Sequence, residues 1–534
     1  MKYYFPLILS VSIVLNLSAL ADEEHHHEDL TEDQLGTVHF QTSCSPEVQI
    51  IFQRGVALLH SFWYEEAEKA FEQGAKGDPQ CAIAHWGVAM SLWHQLWDQP
   101  NGTILKKGAS ELKNAKSLHA ATNREQDYIA ALNAFYEHHD REYKLRAFAY
   151  SQQMEQLYRK YPDDHEAAIF YALSLIASEP DNDKNFANRK KAAVVLEKLF
   201  AEEPNHPGVA HYLIHAYDKP EMAALGLPAA RRYAKIAPLA PHAVHMPSHI
   251  FARLGLWQED IQSNLASIAA THKSEEMHMG NEGHQFHAMD FLVYAQLQSG
   301  HEADVQHVIS DVKAMPPMKD MYSGETDPRF LNLEDFEASY ALELHHWSEA
   351  AALPLIPGTD GNDSDTFRAR AIGAARAGNV AEARKALTQL VVMHADAIQR
   401  KLTYVNAIDD ERREAEAWVN HAEGKNEAAI KLLRDIADRD EGVFQASDGI
   451  PAREMLADML LDMNRPEAAL IEYEANLKLN PNRFNSLYGA GRAAELMGKN
   501  NKASAYYAQL VKNCNGSNSD RPELSHARIL LAQN

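Results

Sequence analysis

The amino-acid sequence predicts an all-α fold, a solenoid built from stacked helix pairs. Small residues, large rings and prolines recur at fixed offsets, and the spacing from Ala469 to Ala503 and from Tyr473 to Tyr507 is 34 residues in both cases. Apolar residues within these segments follow the period of an amphipathic helix. No stretch of any length shows the apolar–polar alternation of a β-strand. Together these observations predict helices throughout, arranged in repeating pairs.

The 34-residue period resembles the tetratricopeptide repeat, a helix–turn–helix unit whose copies stack into a solenoid. The first copy spans residues 48–81, and two clean copies follow at 450–483 and 484–517. Two helices approach closely only where side chains are small, so an alanine such as Ala67 beside a ring such as Phe71 makes a gap and a knob. The resemblance implies a right-handed superhelix, in which the first helix of each pair lines a concave groove.

The first 21 residues are typical of a targeting segment rather than of a fold. Lys2 precedes an apolar run from Phe5 to Leu17, which is too short for a comfortable membrane span. A small-x-small motif at residues 19–21 then fits a signal peptidase site. We therefore expect a signal peptide over residues 1–21, no membrane span after its cleavage, and a periplasmic or secreted protein.

The mature chain divides into four predicted segments. Residues 22–44 are expected to form an acidic, histidine-rich flexible arm, because residues 22–29 are polar and have no apolar period. Residues 45–314 form an N-terminal solenoid of tetratricopeptide-like pairs. Residues 315–365 are rich in proline and glycine, which indicates irregular insertions with helical pieces and a soft boundary between two halves. Residues 366–534 form a C-terminal solenoid that ends in a capping helix.

The charge balance excludes one class of partner. The formal net charge is −24, and phosphates repel an acidic protein. We therefore expect neither nucleic acid nor an anionic membrane surface as a partner.

Only three cysteines are present, too few for a disulfide scaffold. Cys44 and Cys81 lie at helix starts that should be neighbours in the stack, and export would permit a bridge between them. Two unpaired small residues are equally compatible with this spacing. Cys514 is expected to be a free thiol.

Histidines concentrate in one part of the chain, with ten of the 28 between residues 206 and 287. Many are spaced three or four residues apart, which places them on one face of a helix. Projected on the repeat, two neighbouring first helices present five of them to one patch of the groove. These predicted metal ligands are His211, His215, His242, His245 and His249. Three or four imidazoles with a carboxylate form a sound ligand set for zinc, copper or iron, whereas hydrogen bonding to carbonyls or contact with a peptide is the simpler alternative.

A second set of side chains is predicted to lie near the same groove and to contact a ligand. Some share a helix face with the predicted metal ligands, and others take groove positions in the first two repeats or on the following helix. They are His60, Trp93, His94, Tyr212, Asp218, His284, His287 and Asp290.

Motifs for catalysis are missing from the sequence. There is no His-Glu-x-x-His, Gly-x-Ser-x-Gly, Walker loop or Cys-x-x-Cys. No catalytic residue is predicted, and a role without catalysis is favoured.

Beyond the repeats, nearly the whole mature chain resembles a group of exported bacterial tetratricopeptide-repeat proteins of similar length. The resembling stretches are Val38–Cys44, Gly55–Trp63, His211–Tyr217, His242–Trp257, His287–Gln298 and Arg453–Gly491. The resemblance implies the fold and export. It implies no catalytic residue, because no activity is established for the group.

Two functions are compatible with these observations. The first is an exported scaffold that binds a peptide or partner protein in its concave groove, with a histidine-bound metal ion organising that groove. The alternative is a periplasmic metal-binding protein or metal-dependent enzyme centred on the five histidines.

Overall fold

The structure is a computed structural model that describes residues 30–97, 99–180, 183–279, 284–318, 326–359, 361–439 and 449–533. All regular elements in these ranges are helices, 27 in chain order. They are α1 (Glu32–Leu35), α2 (Pro46–His60), α3 (Tyr64–Gly77), α4 (Ala82–Ser91), α5 (Gly102–Leu118), α6 (Asn123–Tyr136), α7 (Tyr143–Lys160), α8 (His165–Ala177), α9 (Ala187–Glu202), α10 (Pro207–Tyr217), α11 (Ala223–Ile236), α12 (Pro241–His245), α13 (Pro247–Leu254), α14 (Trp257–Glu276), α15 (His284–Ser299), α16 (Glu302–Ala314), α17 (Pro328–Glu343), α18 (Trp347–Ala350), α19 (Ser364–Arg376), α20 (Val380–Arg400), α21 (Val405–Ala422), α22 (Asn426–Arg439), α23 (Ala452–Asp462), α24 (Pro466–Leu479), α25 (Phe484–Leu496), α26 (Asn500–Asn513) and α27 (Pro522–Gln533).

The predicted all-α solenoid of stacked helix pairs is confirmed. Consecutive helices pack on each other from α2 onward. A Cβ atom at Gly55 would lie 2.7 Å from the ring of Phe71, so only glycine lets α2 approach α3 this closely. Gly491 faces the ring of Tyr507 in the same way near the other end of the chain. The gap-and-knob pairing expected from the sequence therefore holds the pairs together in both halves.

The apolar interior falls into two large cores and a smaller one between them. The first core includes residues from Leu30 to Met279, and the second includes residues from Ala338 to Ala527. The smaller core, between Phe286 and Ile356, joins α15, α16 and α17.

The C-terminal repeats fold back on the middle of the chain. The indole N–H of Trp257 donates to the carbonyl of Asn482 at 3.1 Å, and the backbone N–H of Phe484 donates to Gln298 at 2.9 Å. Hence α25 contacts α15 directly, and the two halves are joined by this packing as well as by the segment between them.

Residues 30–44 differ from the flexible arm that the sequence indicated. Val38 and Phe40 are buried in the first core, and the side-chain amide of Gln53 donates to the carbonyl of Val38 at 2.8 Å. These apolar side chains have no helical or strand period, so the sequence pattern did not reveal them. Residues 1–29, with the predicted signal peptide and the acidic first part of the arm, lie outside the described residues.

A disulfide joins Cys44 to Cys81, which resolves the alternative that the sequence left open. The bridge ties the end of the N-terminal segment to the start of α4. Cys514 is a buried free thiol, as expected, and burial raises its pKa to about 12.

Within the predicted irregular segment, residues 315–365, the structure places α17 and the short helix α18. At the C-terminus α27 packs on α26 in the position predicted for the capping helix. In the described part of the chain, no helix combines the length and the apolar character needed to cross a lipid bilayer.

Candidate metal centre

Four helices bring six histidines together in the interior of the first half. Pro207, Pro241 and Pro247 open α10, α12 and α13, where a missing N–H leaves no intrahelical bond unmade. α12 and α13 follow each other closely, and both pack against α15. The six histidines are His211, His215, His242, His245, His249 and His287.

The first three form one group, called here the α10 triad: His211, His215 and His242. The Nε2 atom of His211 lies 3.1 Å from the Nε2 atoms of both His215 and His242. Ligand atoms from all three residues lie within 4.8 Å of one another. Imidazole nitrogens about 2.0–2.1 Å from one ion are about 2.9–3.4 Å apart at bond angles between square and tetrahedral. The closest spacings in the α10 triad therefore match those of ligands that share an ion.

The other three form the α15 triad: His245, His249 and His287. The Nε2 atoms of His245 and His249 are 3.1 Å apart, and the ring of His287 lies 4.5 Å from that of His245 between centroids. Again one ligand atom from each residue lies within 4.8 Å of the other two.

Hydrogen bonds at Nδ1 fix which nitrogen carries the proton in the α15 triad. The side-chain nitrogen of Asn264 donates to Asp260, so its oxygen faces His245 Nδ1 and accepts from it at 2.7 Å. The carboxylate of Asp218 accepts from His249 Nδ1 at 3.0 Å. With one proton on each ring, both rings therefore carry it on Nδ1 and have a lone pair on Nε2. In that state the two lone pairs face each other at 3.1 Å.

The same reasoning applies to His211 in the α10 triad. Its Nδ1 donates to the backbone carbonyl of His60 at 2.6 Å, and a carbonyl can only accept. The lone pair on His211 Nε2 thus faces two other imidazole nitrogens at once. Metal-bound histidines characteristically donate their second ring nitrogen to a carbonyl, amide or carboxylate oxygen in this way.

The two triads are neighbours. Ring centroids across the boundary are 5.9 Å apart for His242 and His245, and 6.1 Å apart for His215 and His249. Within the α10 triad itself, the rings of His215 and His242 are 6.3 Å apart. Rings on opposite sides of the boundary are therefore no farther apart than the two most distant rings within the α10 triad.

A cavity of about 420 Å³ opens onto both triads. Its walls include His215 and His242 from one and His249 and His287 from the other, with Trp97 beside them. A small molecule in this cavity would meet the histidines of both groups.

Burial favours the neutral form of five of these histidines, namely His211, His215, His242, His245 and His287. Burial, followed by repulsion from neighbouring histidines, lowers the pKa values of His242 and His245 well below the ordinary value. Burial also lowers the pKa of His211 and that of His287 to about 3. Neutral imidazole is the form that binds a metal ion.

Several residues that were predicted to line an open groove lie in the core instead. His60, Trp93 and Tyr212 are buried, and the ring of Trp93 stacks on Phe135 with centroids 3.7 Å apart. The groove is closed here because residues after α2 and α4 fold over it, and Phe62 packs against the ring of His211 at 4.3 Å. These three side chains are therefore not open to a groove, and their contact with a ligand stays a prediction.

The other groove residues have mixed positions. His94 stacks on Tyr64 at 4.2 Å, and its ring lies 6.5 Å from that of Trp97. His284 is buried beside the α10 triad, 5.8 Å from the ring of His242. Asp290 lies beside Asp335, an acidic residue of α17.

Asp218 stands directly behind the α15 triad. It accepts from His249 and from the guanidinium of Arg253 at 2.8 Å. Burial opposes its ionisation, but Arg253 and His249 together lower the pKa of this carboxyl well below its usual range. Asp218 is therefore an anion that orients a histidine.

A buried group that the sequence did not indicate supports the α10 triad. The carboxylate of Glu166 accepts from His60 Nε2 at 2.9 Å and from His206 Nε2 at 3.0 Å. His60 in turn accepts from the hydroxyl of Tyr212 at 2.9 Å. Each of these contacts pairs a donor with an acceptor, but Nδ1 of the buried His206 has no hydrogen-bond partner among the described residues. His60, Glu166 and His206 are thus a third group whose ligand atoms lie within 4.8 Å of one another. No helical spacing links Glu166 or Asn264 to the triads, so the sequence pattern could not have found them.

Comparison with known proteins agrees with the fold. The family described as tetratricopeptide repeat matches residues 454–518. A comparison with curated proteins finds no match. The match confirms tetratricopeptide repeats in this part of the chain, and the stacked helix pairs extend the same architecture through the rest of the described residues.

The solved structures that match this chain are distant from it in sequence. A human IFIT1 dimer with m7Gppp-AAAA is 14% identical, covers 81% of this chain and 90% of its own, and has a TM-score of 0.32. The P58(IPK) TPR domain is 13% identical, covers 91% of this chain and 99% of its own, and has a TM-score of 0.20. At this identity and these TM-scores, neither structure bears on what the present chain binds.

Proposed function

We propose that this protein binds transition-metal ions at the α10 triad and the α15 triad. The observation that carries the proposal is the pair His245 and His249, whose Nε2 atoms face each other at 3.1 Å while both Nδ1 atoms contact side-chain oxygens. A buried acceptor without a donor is costly, and two that face each other repel. A cation between them removes both penalties.

The ligand set narrows the choice of metal. Imidazole suits zinc, copper and iron, whereas magnesium and calcium take oxygen ligands. Three histidines per ion also leave one coordination position open, the arrangement of catalytic rather than structural zinc sites. The set of imidazole ligands in each triad thus supports zinc, copper or iron.

Metal analysis of the purified chain tests the proposal. The full-length protein would be made without an affinity tag and with the three histidines at 25–27 changed to alanine, so that the N-terminal segment contributes no metal. After loading with zinc or copper and gel filtration we expect about two ions per chain. We expect about one in His211→Ala and about one in His245→Ala.

A matched control shows whether the loss is specific. His307 lies on α16 with a side chain that is 79% exposed, and His307→Ala should retain the full metal content. No retained metal in the parent protein, or equal retention in all variants, would contradict the proposal.

The fold is also compatible with binding of a peptide or partner protein, the first function that the sequence suggested. The positions of the residues predicted to contact such a ligand support peptide binding less than the histidine triads support metal binding. His60, Trp93 and Tyr212 are buried, and the space beside the triads is a cavity rather than an open channel.

We further infer export to an oxidising compartment. The Cys44–Cys81 disulfide supports it, because such bridges persist mainly in the periplasm and outside the cell. Cell fractionation of the untagged protein, with N-terminal sequencing of the mature form, tests this inference. A protein found in the cytoplasm with residues 1–21 intact would contradict it.

A further inference from the structure

We propose that the α10 triad and the α15 triad hold two copper ions as one dinuclear centre, which binds dioxygen as a bridging ligand. This inference rests on the proposed function and names the metal and the ligand class for the same site.

Proximity is the first argument. The rings that meet across the boundary, His242 with His245 and His215 with His249, have centroids 5.9 and 6.1 Å apart. These distances are shorter than the 6.3 Å between His215 and His242, which belong to one triad. Two ions held by such neighbours are adjacent, and both triads contribute walls to the shared cavity.

The absence of oxygen among the six proposed ligands is the second argument. Two-metal sites for iron in helical proteins use glutamate side chains that reach both ions. The six side chains here are all imidazoles. Among divalent first-row metals, copper has the highest affinity for such nitrogen sites.

Charge is the third argument. The two carboxylates among the described cavity walls are already paired: Asp218 with Arg253 at 2.8 Å, and Glu179 with Arg189 at 2.7 Å. Lys144 adds another cation to the same wall. An interior without a spare anion favours the metal pair of lowest total charge, since burial of uncompensated charge is unfavourable. Two copper(I) ions bring two positive charges, whereas two zinc(II) ions bring four.

The proposed reaction keeps that charge constant. Each copper(I) gives one electron to dioxygen, which becomes peroxide and bridges two copper(II) ions. The O–O bond order falls from two to one, two copper–oxygen contacts form, and no proton is needed. Four positive charges on copper less two negative charges on peroxide leave the same total as before. The buried site therefore accepts the oxidised form without new counter-ions.

The cavity provides access. Its volume of about 420 Å³ far exceeds that of dioxygen, and its walls include two histidines from each triad. A gas molecule that enters it reaches the open positions of both ions.

Spectroscopy on the copper-loaded full chain tests the proposal. Protein with residues 25–27 changed to alanine is loaded with two equivalents of copper(I) without oxygen and then titrated with dioxygen. We expect uptake of one dioxygen per two coppers and a strong new near-ultraviolet absorption band. We also expect loss of most of the copper(II) electron paramagnetic resonance signal, because two bridged copper(II) spins couple.

Variants in which one triad is disrupted test whether both copper ions are needed to bind dioxygen. In His245→Ala and His211→Ala the remaining copper should give its full paramagnetic signal after oxidation, with no uptake of bridging dioxygen. The zinc-loaded parent should show no band. Circular dichroism confirms that each variant is folded, and the titration of the parent protein decides the matter even where a variant is not.

Three outcomes distinguish a failure of the dinuclear copper centre from a failure of metal binding itself. One dioxygen per copper pair, with the band and the lost signal, supports the dinuclear centre. Two retained coppers with full paramagnetic signals and no dioxygen uptake overturn it and leave metal binding intact. No retained metal overturns this inference and the proposed function together.

Discussion

Two buried polar regions of this solenoid differ in how their polar atoms find partners. In the C-terminal half, Arg483 is completely buried and donates to Glu343 at 2.6 Å, to Glu454 at 2.7 Å and to Tyr294 at 2.9 Å. Each nitrogen of that guanidinium donates to an acceptor of the chain itself. In the α15 triad, by contrast, two imidazole Nε2 atoms face each other, and in the α10 triad one acceptor faces two imidazole nitrogens.

The difference shows what each region needs. A buried arginine with two carboxylates is complete as the protein folds, whereas the proposed metal ions would complete the triads. Both regions use the same helix-pair frame. Substitutions in and around the two regions test this difference, and the one with the largest expected effect is at Arg483.

Removal of the arginine should cause the largest loss of stability. Arg483→Met leaves Glu343 and Glu454 as buried carboxylates without a counter-charge, and we expect a loss of about 3–5 kcal/mol in the free energy of unfolding. Denaturant unfolding followed by circular dichroism measures it. Arg492→Met is the control, because its ion pair with Glu495 is partly exposed and contributes under about 1 kcal/mol. Equal losses in the two variants would contradict the contrast.

Removal of a triad histidine should act mainly through the metal. In metal-free protein we expect His287→Leu to change the free energy of unfolding by less than about 1 kcal/mol, because an apolar side chain replaces a partly buried, neutral imidazole. In the parent, metal at a thousand-fold excess over its dissociation constant adds about 4 kcal/mol, and the variant should lose much of this gain. Unfolding curves with and without metal measure both. A large loss in the metal-free variant would show a structural role instead.

Asp218 should affect the affinity for the metal without being one of its ligands. It orients His249 through a 3.0 Å hydrogen bond, so Asp218→Asn should weaken metal binding about 10- to 100-fold. Competition with a chelator of known affinity measures this. Glu221→Gln, at an exposed carboxylate three residues away, should leave the affinity unchanged. Unchanged affinity in Asp218→Asn would show that the carboxylate serves only Arg253.

The smallest effect concerns pH and the acidic residues of α17. Burial, and then repulsion from Asp365, raises the pKa of Asp335 to about 7. The native state therefore keeps a proton that the unfolded chain releases between pH about 4 and about 7, so this group makes stability fall as pH rises through that window. Asp335→Asn should flatten the fall, whereas Asp311→Asn at an exposed site should not. Profiles of stability against pH that have the same slope in the parent and in both variants would contradict the raised pKa of Asp335.

Much of the fold could be predicted because it repeats. The offsets of Ala469, Tyr473 and Pro481 specify a helix pair without knowledge of any distant contact. The return of Asn482 and Phe484 onto α14 and α15 could not be predicted, since it depends on the accumulated rotation of many pairs. Burial of residues 30–44 was missed for a similar reason, because Phe40 fits a pocket made by residues far away in sequence.

The histidine site was predicted in part. Spacings of three and four identified the faces of α10, α12 and α13 that carry five of the six histidines. Their division into two triads was not foreseen, because His242 joins α10 while His245 joins α15, and that choice depends on how the helices cross. His287 was assigned to the groove and not to a metal, since the helix register of α15 was uncertain from sequence alone.

Anomalous X-ray diffraction from crystals of metal-loaded protein tests the central claim most directly. Data on either side of the copper or zinc absorption edge locate each ion by element. We predict two peaks, one in each triad, each about 2.0–2.1 Å from three imidazole nitrogens. An absence of peaks, with His245 or His249 rotated so that a donor meets each Nε2 acceptor, would contradict the account.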